Sequence, residues 1–149
     1  VTPTYSIQFP IPDDDIMWLA KTIFGEARGE NAITQYLVGW VIRNRKEDRG
    51  QFRRQSTYKQ VVLAPYQFSC WLEGDPNKPK VEQPWKYDMQ AWKIAQAVAL
   101  TVEMSPQRKN PIPGVLHYVD VSIADRLPRW AKQMKKITFE LAPRIIFLK

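Results

Sequence analysis

Three stretches of the chain repeat apolar residues at the spacing of one helical face, and the segments between them do not. Ile16, Leu19, Ala20 and Ile23 form the first set, Ile33, Leu37, Trp40 and Val41 the second, and Ala91, Ile94, Ala95, Val98 and Val102 the third. Each set makes one stripe that must be covered, so three helices packed on a common core are the frame to expect. The spacing predicts helices from about Asp14 towards Gly25, from Asn31 to about Lys46, and from behind Asp88 to the run SPQRKNPIPG. Asp13, Asp14 and Asp15 offer a cap and favourable charge to the first helix, and Asp88 can cap the third. Asn44 shares the apolar face of the second helix and is expected to be a buried polar group.

Between these helices the chain is irregular, in keeping with its 12 prolines. An extended lead-in ends at FPIP. Glu47 to Thr57 is a charged loop carrying Arg49, Arg53 and Arg54, and YKQVVL reads as a short turn or strand. YQFSCW, Tyr66 to Trp71, has the aromatic content of a strand or hairpin arm, and EGDPNKPKVEQP after it reads as a long loop. GVLHYVDV suggests an extended piece, and the tail beyond Pro128 a short helix followed by strands. At 149 residues the chain suffices for one domain with a real core, expected to span 1–149.

Lys and Arg outnumber Asp and Glu by 22 to 15, a net charge of +7 that favours polyanionic partners. The single cysteine, Cys70, excludes an internal disulfide, and with one histidine, His117, few ligands remain for a zinc site. No cofactor or metal is expected. No apolar run approaches a membrane span, so the chain reads as soluble, with its route of export open and a phage lysis system one way to supply it.

The sharpest local feature is LAKTIFGEARGE, where the first apolar stripe runs into two carboxylates, each beside a glycine. On a helix Glu26 falls about 20° from Leu19 and about 60° from Ile23, close to the apolar face. Gly25 and Gly29 suggest a helix end there, where the dipole and partial burial both disfavour ionisation of Glu26. A glutamic acid of raised pKa suits protonation of a departing sugar oxygen. A capping or ion-pairing glutamate, with Arg28 or Arg43, is the plainer alternative. Glu30 would face Glu26 if the helix continued, or else supply first-turn charge to the segment beginning near Asn31.

LAKTIFGEARGE, VGWVIRNR, YQFSCW and GVLHY, taken in order, resemble the cell wall hydrolase family typified by spore cortex-lytic enzymes. The resemblance runs from about Asp15 to Trp130. It implies an α+β, lysozyme-like, mostly helical fold with a small antiparallel sheet or hairpin bordering the active-site groove. It also implies action on the β-1,4 bond between N-acetylmuramic acid and N-acetylglucosamine of peptidoglycan, at the cell wall. The family's catalytic glutamate lands on Glu26. Gln67, Phe68, Ser69 and Trp71 land on a wall of the saccharide groove, and His117 and Tyr118 land opposite it. Glu30 completes the expected substrate-binding set.

The residue types fit: Gln67 and Ser69 can hydrogen-bond sugar groups, Phe68 and Trp71 can face a pyranose ring, and Tyr118 can donate near the reacting centre. No second well-placed carboxylate is evident, which favours a lytic transglycosylase over two-carboxylate hydrolysis. The partners expected are glycan strands of peptidoglycan, with anionic envelope polymers or lipid meeting the basic surface, no nucleic acid, and a monomer in solution. The basic stretch RKEDRGQFRRQST, PIPG before the HY pair and VDVSIADRLPRW after it depart from the family pattern. Cys70 or Ser69 with His117 as a hydrolytic nucleophile and base is a rival, without a supporting local signature. A basic binding module is another, and it leaves GEARGE unexplained.

Overall fold

The structure, a computed structural model, describes residues 14–149; the FPIP lead-in and the cap expected at Asp13 lie outside the described residues. Helix α1 (Asp14–Ala27) buries Leu19, Ala20 and Ile23 of the expected stripe together with Phe24, and leaves Ile16 half-buried. Asp15 accepts from the N–H groups of Tyr58 and Lys59, both at 3.0 Å, and so ties α1 to the start of α3 (Tyr58–Leu63). YKQVVL is thus a helix rather than a turn or strand. Thr57 caps it, accepting from Gln60 N at 3.1 Å, and that cap is the signal its β-branched valines obscure.

Helix α2 (Ala32–Glu47) starts at Asn31, whose side chain accepts from Thr34 N and donates to the Leu141 carbonyl. Asn44 is buried as expected. Its amide donates to the carbonyls of Ile112 and Val115, and its oxygen accepts from Asn110, so one side chain pins the proline-rich approach to His117. Two short helices follow, α4 (Lys78–Glu82) within what reads as a long loop and α5 (Pro84–Tyr87) starting at its last residue, each with a proline in its first turn, where the missing N–H costs nothing. Helix α6 (Met89–Met104) is capped by Asp88 as expected.

Strands β1 (His117–Asp120), β2 (Lys136–Phe139) and β3 (Ala142–Leu148) form an antiparallel sheet in the order β1-β3-β2. Tyr118 pairs with Phe147 and His117 with Leu148. The sheet has a packed face on each side: Ile145 and Phe147 join the helical core, and Ile146 and Leu148 meet Leu127 and Ala131. The fold is therefore α+β, mostly helical with one small sheet.

YQFSCW is neither a strand nor a hairpin arm: Ser69–Trp71 is a 3-10 turn. Its aromatics are consumed by tertiary contacts instead of a ladder. Phe68 and Cys70 are buried, and Trp71 donates to Thr22 Oγ1 at 3.0 Å while its ring lies 5.1 Å from that of Trp18. Gly25 likewise does not end α1, which continues to Ala27. It is a point of close approach between α1 and the segment 70–81, because a Cβ there would lie 2.5 Å from Val81 Cγ1 and 2.8 Å from Cys70 Sγ.

Gly25→Ala is accordingly expected to destabilise the protein by about 2 kcal/mol, overpacking outweighing the helix propensity gained. Gly29→Ala, with nothing within 4 Å of the new methyl group, should stay within about 0.5 kcal/mol of the parent. Urea denaturation of the two variants distinguishes a packing glycine from a merely flexible one.

Candidate active site

Glu26 is the penultimate residue of α1 and is partly buried. Loss of water raises its carboxyl from 4.5 to about 7; Arg45 acts against that rise and Asp75 adds to it. Asp75 reaches this place through a short chain of contacts that begins in GEARGE itself. Arg28 donates to the Phe24 carbonyl at the end of α1 and, through its other nitrogen, to Asn77 Oδ1 at 2.9 Å. Asn77 N in turn donates to Asp75 Oδ1 at 2.8 Å. Arg28 is therefore not the ion-pair partner of Glu26, and neither is Arg43, which serves Glu47 and the carbonyls of Val102 and Ser105.

Arg45, 5% exposed on α2, is the cation that acts on Glu26. Its Nε donates to the Leu116 carbonyl at 2.7 Å and its Nη1 to Gln67 Oε1 at 3.2 Å. The guanidinium lies over the rings of Phe52 and Phe68, 4.8 and 5.0 Å from their centroids. Gln67 is presented by a turn in which Tyr66 has φ of 60°, a left-handed conformation that costs a non-glycine residue about 1–2 kcal/mol.

Tyr118 belongs to the same cluster. Burial and then Glu26 push its hydroxyl well above the usual phenol range, so it stays protonated and able to donate. His117 does not join it. Neighbouring strand residues face opposite ways: Tyr118 packs on Phe147, whereas His117 packs on Phe52 and Trp130 with Nε2 3.1 Å from Gln51 Oε1. Burial and then Arg45 lower the pKa of His117, favouring the neutral ring.

Of the other groove residues expected from sequence, Gln67 and Ser69 are exposed and Trp71 is half-buried. Phe68 is a correction: at 3% exposure it supports Arg45 from beneath and has no face to offer a sugar. Glu30, past the end of α1, is turned to β3, 3.6 Å from Arg144 Nε; the carboxylate that acts on Glu26 is Asp75. Cys70 is 2% exposed, and burial followed by the charge of Glu26 pushes its thiol far above the usual range. With His117 facing elsewhere, a thiol nucleophile has neither access nor a base.

Arg45 and Asp75 escaped the sequence reading. Arg45 had a signal, since Val38, Val41 and Arg45 share one buried face of α2 at i, i+3 and i+7. Asp75 had none beyond a turn-forming GDPN, because its place depends on Arg28 and Asn77 meeting across the fold.

A family model described as Cell Wall Hydrolase matches residues 29–147. The chain belongs to the Cell Wall Hydrolase family. No curated protein and no solved structure matches it. Membership gives, in general terms, an enzyme that acts on peptidoglycan at the cell wall, without singling out the spore cortex-lytic branch. Arg45, Gln67, Asp75 and Tyr118 lie within the matched segment, and Glu26 lies three residues before it. Among the described residues of this Cell Wall Hydrolase, no helix is long and apolar enough to cross a membrane.

The raised pKa of Glu26 carries a stability consequence. The unfolded chain ionises this group near 4.5 and the folded chain near 7. Between those values the folded state holds the extra proton, so stability falls as pH rises through the interval and levels off above it. Glu26→Gln removes the effect: the variant should match the parent at pH 4.5 and exceed it by about 3 kcal/mol at pH 8. Urea unfolding of both proteins at the two pH values measures the difference.

Proposed function

We propose that this chain cleaves the β-1,4 bond between N-acetylmuramic acid and N-acetylglucosamine, with Glu26 as the acid and then the base of a lytic transglycosylase reaction. The observation that carries this reading is a carboxyl group raised by burial to about 7, beside a phenol that stays protonated. Such a group is half protonated near neutral pH, when a departing sugar oxygen needs a proton. Glu26 gives its proton to that oxygen as the bond to the anomeric carbon breaks. The resulting carboxylate takes the proton of the muramic C6 hydroxyl, whose oxygen closes on the anomeric carbon. The acid is restored, no water is consumed, and a 1,6-anhydro end remains.

The substrate path follows the same helix. Trp18, Thr22 and Glu26 recur every four residues on α1, about 6 Å apart along its axis, and Trp71 joins the first two through its hydrogen bond and ring contact. A cleft of about 600 Å³ opens beside Trp18, lined by Lys21, Thr57 and Lys59. Glycan laid from Glu26 past Trp71 towards this cleft would meet apolar faces suited to pyranose rings. The exposed Arg49, Arg53, Arg54, Lys132 and Lys135 supply positive surface for anionic envelope polymers.

Asp75 supports a second reading, muramidase-type hydrolysis, in which it would activate water as the second carboxylate. Digestion of purified peptidoglycan with the parent, Glu26→Gln and Asp75→Asn, followed by mass spectrometry, separates the two. Transglycosylation predicts anhydro-muramic ends, loss of at least 10³-fold in Glu26→Gln, and anhydro products still formed by Asp75→Asn. Reducing muramic ends that vanish in Asp75→Asn would establish hydrolysis, and freed peptides would overturn both.

A further inference from the structure

We propose that Arg45 is the positioning residue of this chemistry: its buried guanidinium fixes Gln67 and the entrance of β1 around Glu26, and its charge stabilises the carboxylate that Glu26 becomes on giving up its proton. The inference rests on Glu26 being the acid, and it assigns what holds that acid in working order.

The arrangement is costly for anything less. Arg45 is 5% exposed, and none of the ion pairs among the described residues includes it. A buried guanidinium with no paired carboxylate is unfavourable, and an apolar side chain of similar volume would serve packing better. Two carbonyl-type oxygens and two aromatic faces accommodate it without neutralising it. The neighbours that act on its charge beyond burial are Tyr118 and Glu26, and Tyr118 is held protonated. Full compensation therefore comes only when Glu26 is ionised, the state that follows proton delivery.

The groups around Glu26 fix the sign of the effect. Arg45 faces it from α2, Asp75 from the loop after the 3-10 turn, Cys70 from that turn, and Tyr118 from β1. The thiol and the phenol are neutral, so Arg45 is opposed by burial and by Asp75. Without Arg45 those two act alone, and the acid holds its proton to higher pH. The clamp on Gln67 is a separate contribution. With its oxygen engaged by Arg45, Gln67 has its amide oriented by a rigid partner, whereas a lysine keeps the charge but lacks the planar fork that reaches Leu116 and Gln67 together.

The test is the pH profile of kcat/KM on purified peptidoglycan for the parent, Arg45→Met, Arg45→Lys and Glu26→Gln, with each fold checked by circular dichroism. Arg45→Met is expected to lose at least tenfold in kcat and to move the alkaline limb upward by about one pH unit. Arg45→Lys should keep that limb within about half a unit of the parent and raise KM several-fold, because charge remains and the clamp is lost. A merely structural arginine would lower activity in both variants and leave both limbs in place; that result overturns the proposal. Where Arg45→Met fails to fold, Arg45→Gln, which also removes the charge, takes its place: an alkaline limb moved upward supports the assignment, and a limb left where the parent has it defeats it. Full lysis by Glu26→Gln removes the glutamate reading and this inference together, whereas a dead Glu26→Gln with an unmoved limb in Arg45→Met removes only the role of Arg45.

Discussion

A partly buried carboxyl group and a buried guanidinium, coupled but not joined in an ion pair, form the constraint around which the other contacts are arranged. Burial drives Glu26 towards its neutral form and Arg45 acts against it, whereas a direct ion pair would hold it ionised and useless as an acid. The intermediate outcome, a group near 7, requires the cation close enough to matter and held back by other partners. Those partners are the Leu116 carbonyl, Gln67 and the rings of Phe52 and Phe68. They come from three different parts of the chain, so the electrostatic setting of one side chain demands that the 47–57 loop, the 66–71 segment and the approach to β1 be correctly placed.

GEARGE shows how tightly such demands compress into sequence. Gly25 lets Cys70 and Val81 approach the helix, Glu26 is the partly buried acid beside it, and Arg28 holds the loop carrying Asp75. Glu30 secures the far side through Arg144 on β3. Two glycines that look alike have different physical reasons: one has no room for a methyl group and the other has open space. Asn44 and Arg45 form a similar consecutive pair, which holds the segment entering β1 by three of its carbonyl oxygens.

What was legible in the sequence follows the reach of each signal. The three long helices and the cap at Asp88 were readable because a stripe and a cap are properties of a few neighbouring residues. The strands of the tail were readable for the same reason. YQFSCW misled because its aromatics serve partners on α1 and α2 that are close only after folding. Within the HY pair, strand alternation sends Tyr118 to the core face and His117 to the other, where it meets Phe52 and Trp130. Glu26 was readable from helical phase, but the identity of its electrostatic partners was not. Arg28 and Arg43 are nearer in local reasoning, yet each is occupied by helix carbonyls and neighbours.

The choice between one acid and two turns on what Asp75 can do from its position. Its Oδ1 already accepts from Asn77 N, and the turn so formed is held by Arg28. A carboxylate fixed in an Asx turn still has a free face, so the contact alone does not disqualify it as a base. Its sign does constrain it: Asp75 raises the pKa of Glu26, which favours the protonated acid at the start of the reaction and disfavours the carboxylate that forms. Arg45 acts in the opposite direction at both stages. A site with these two charges balanced across one glutamate is suited to passing a proton out and taking it back, which a transglycosylase must do with a single group and a two-carboxylate hydrolase divides between two.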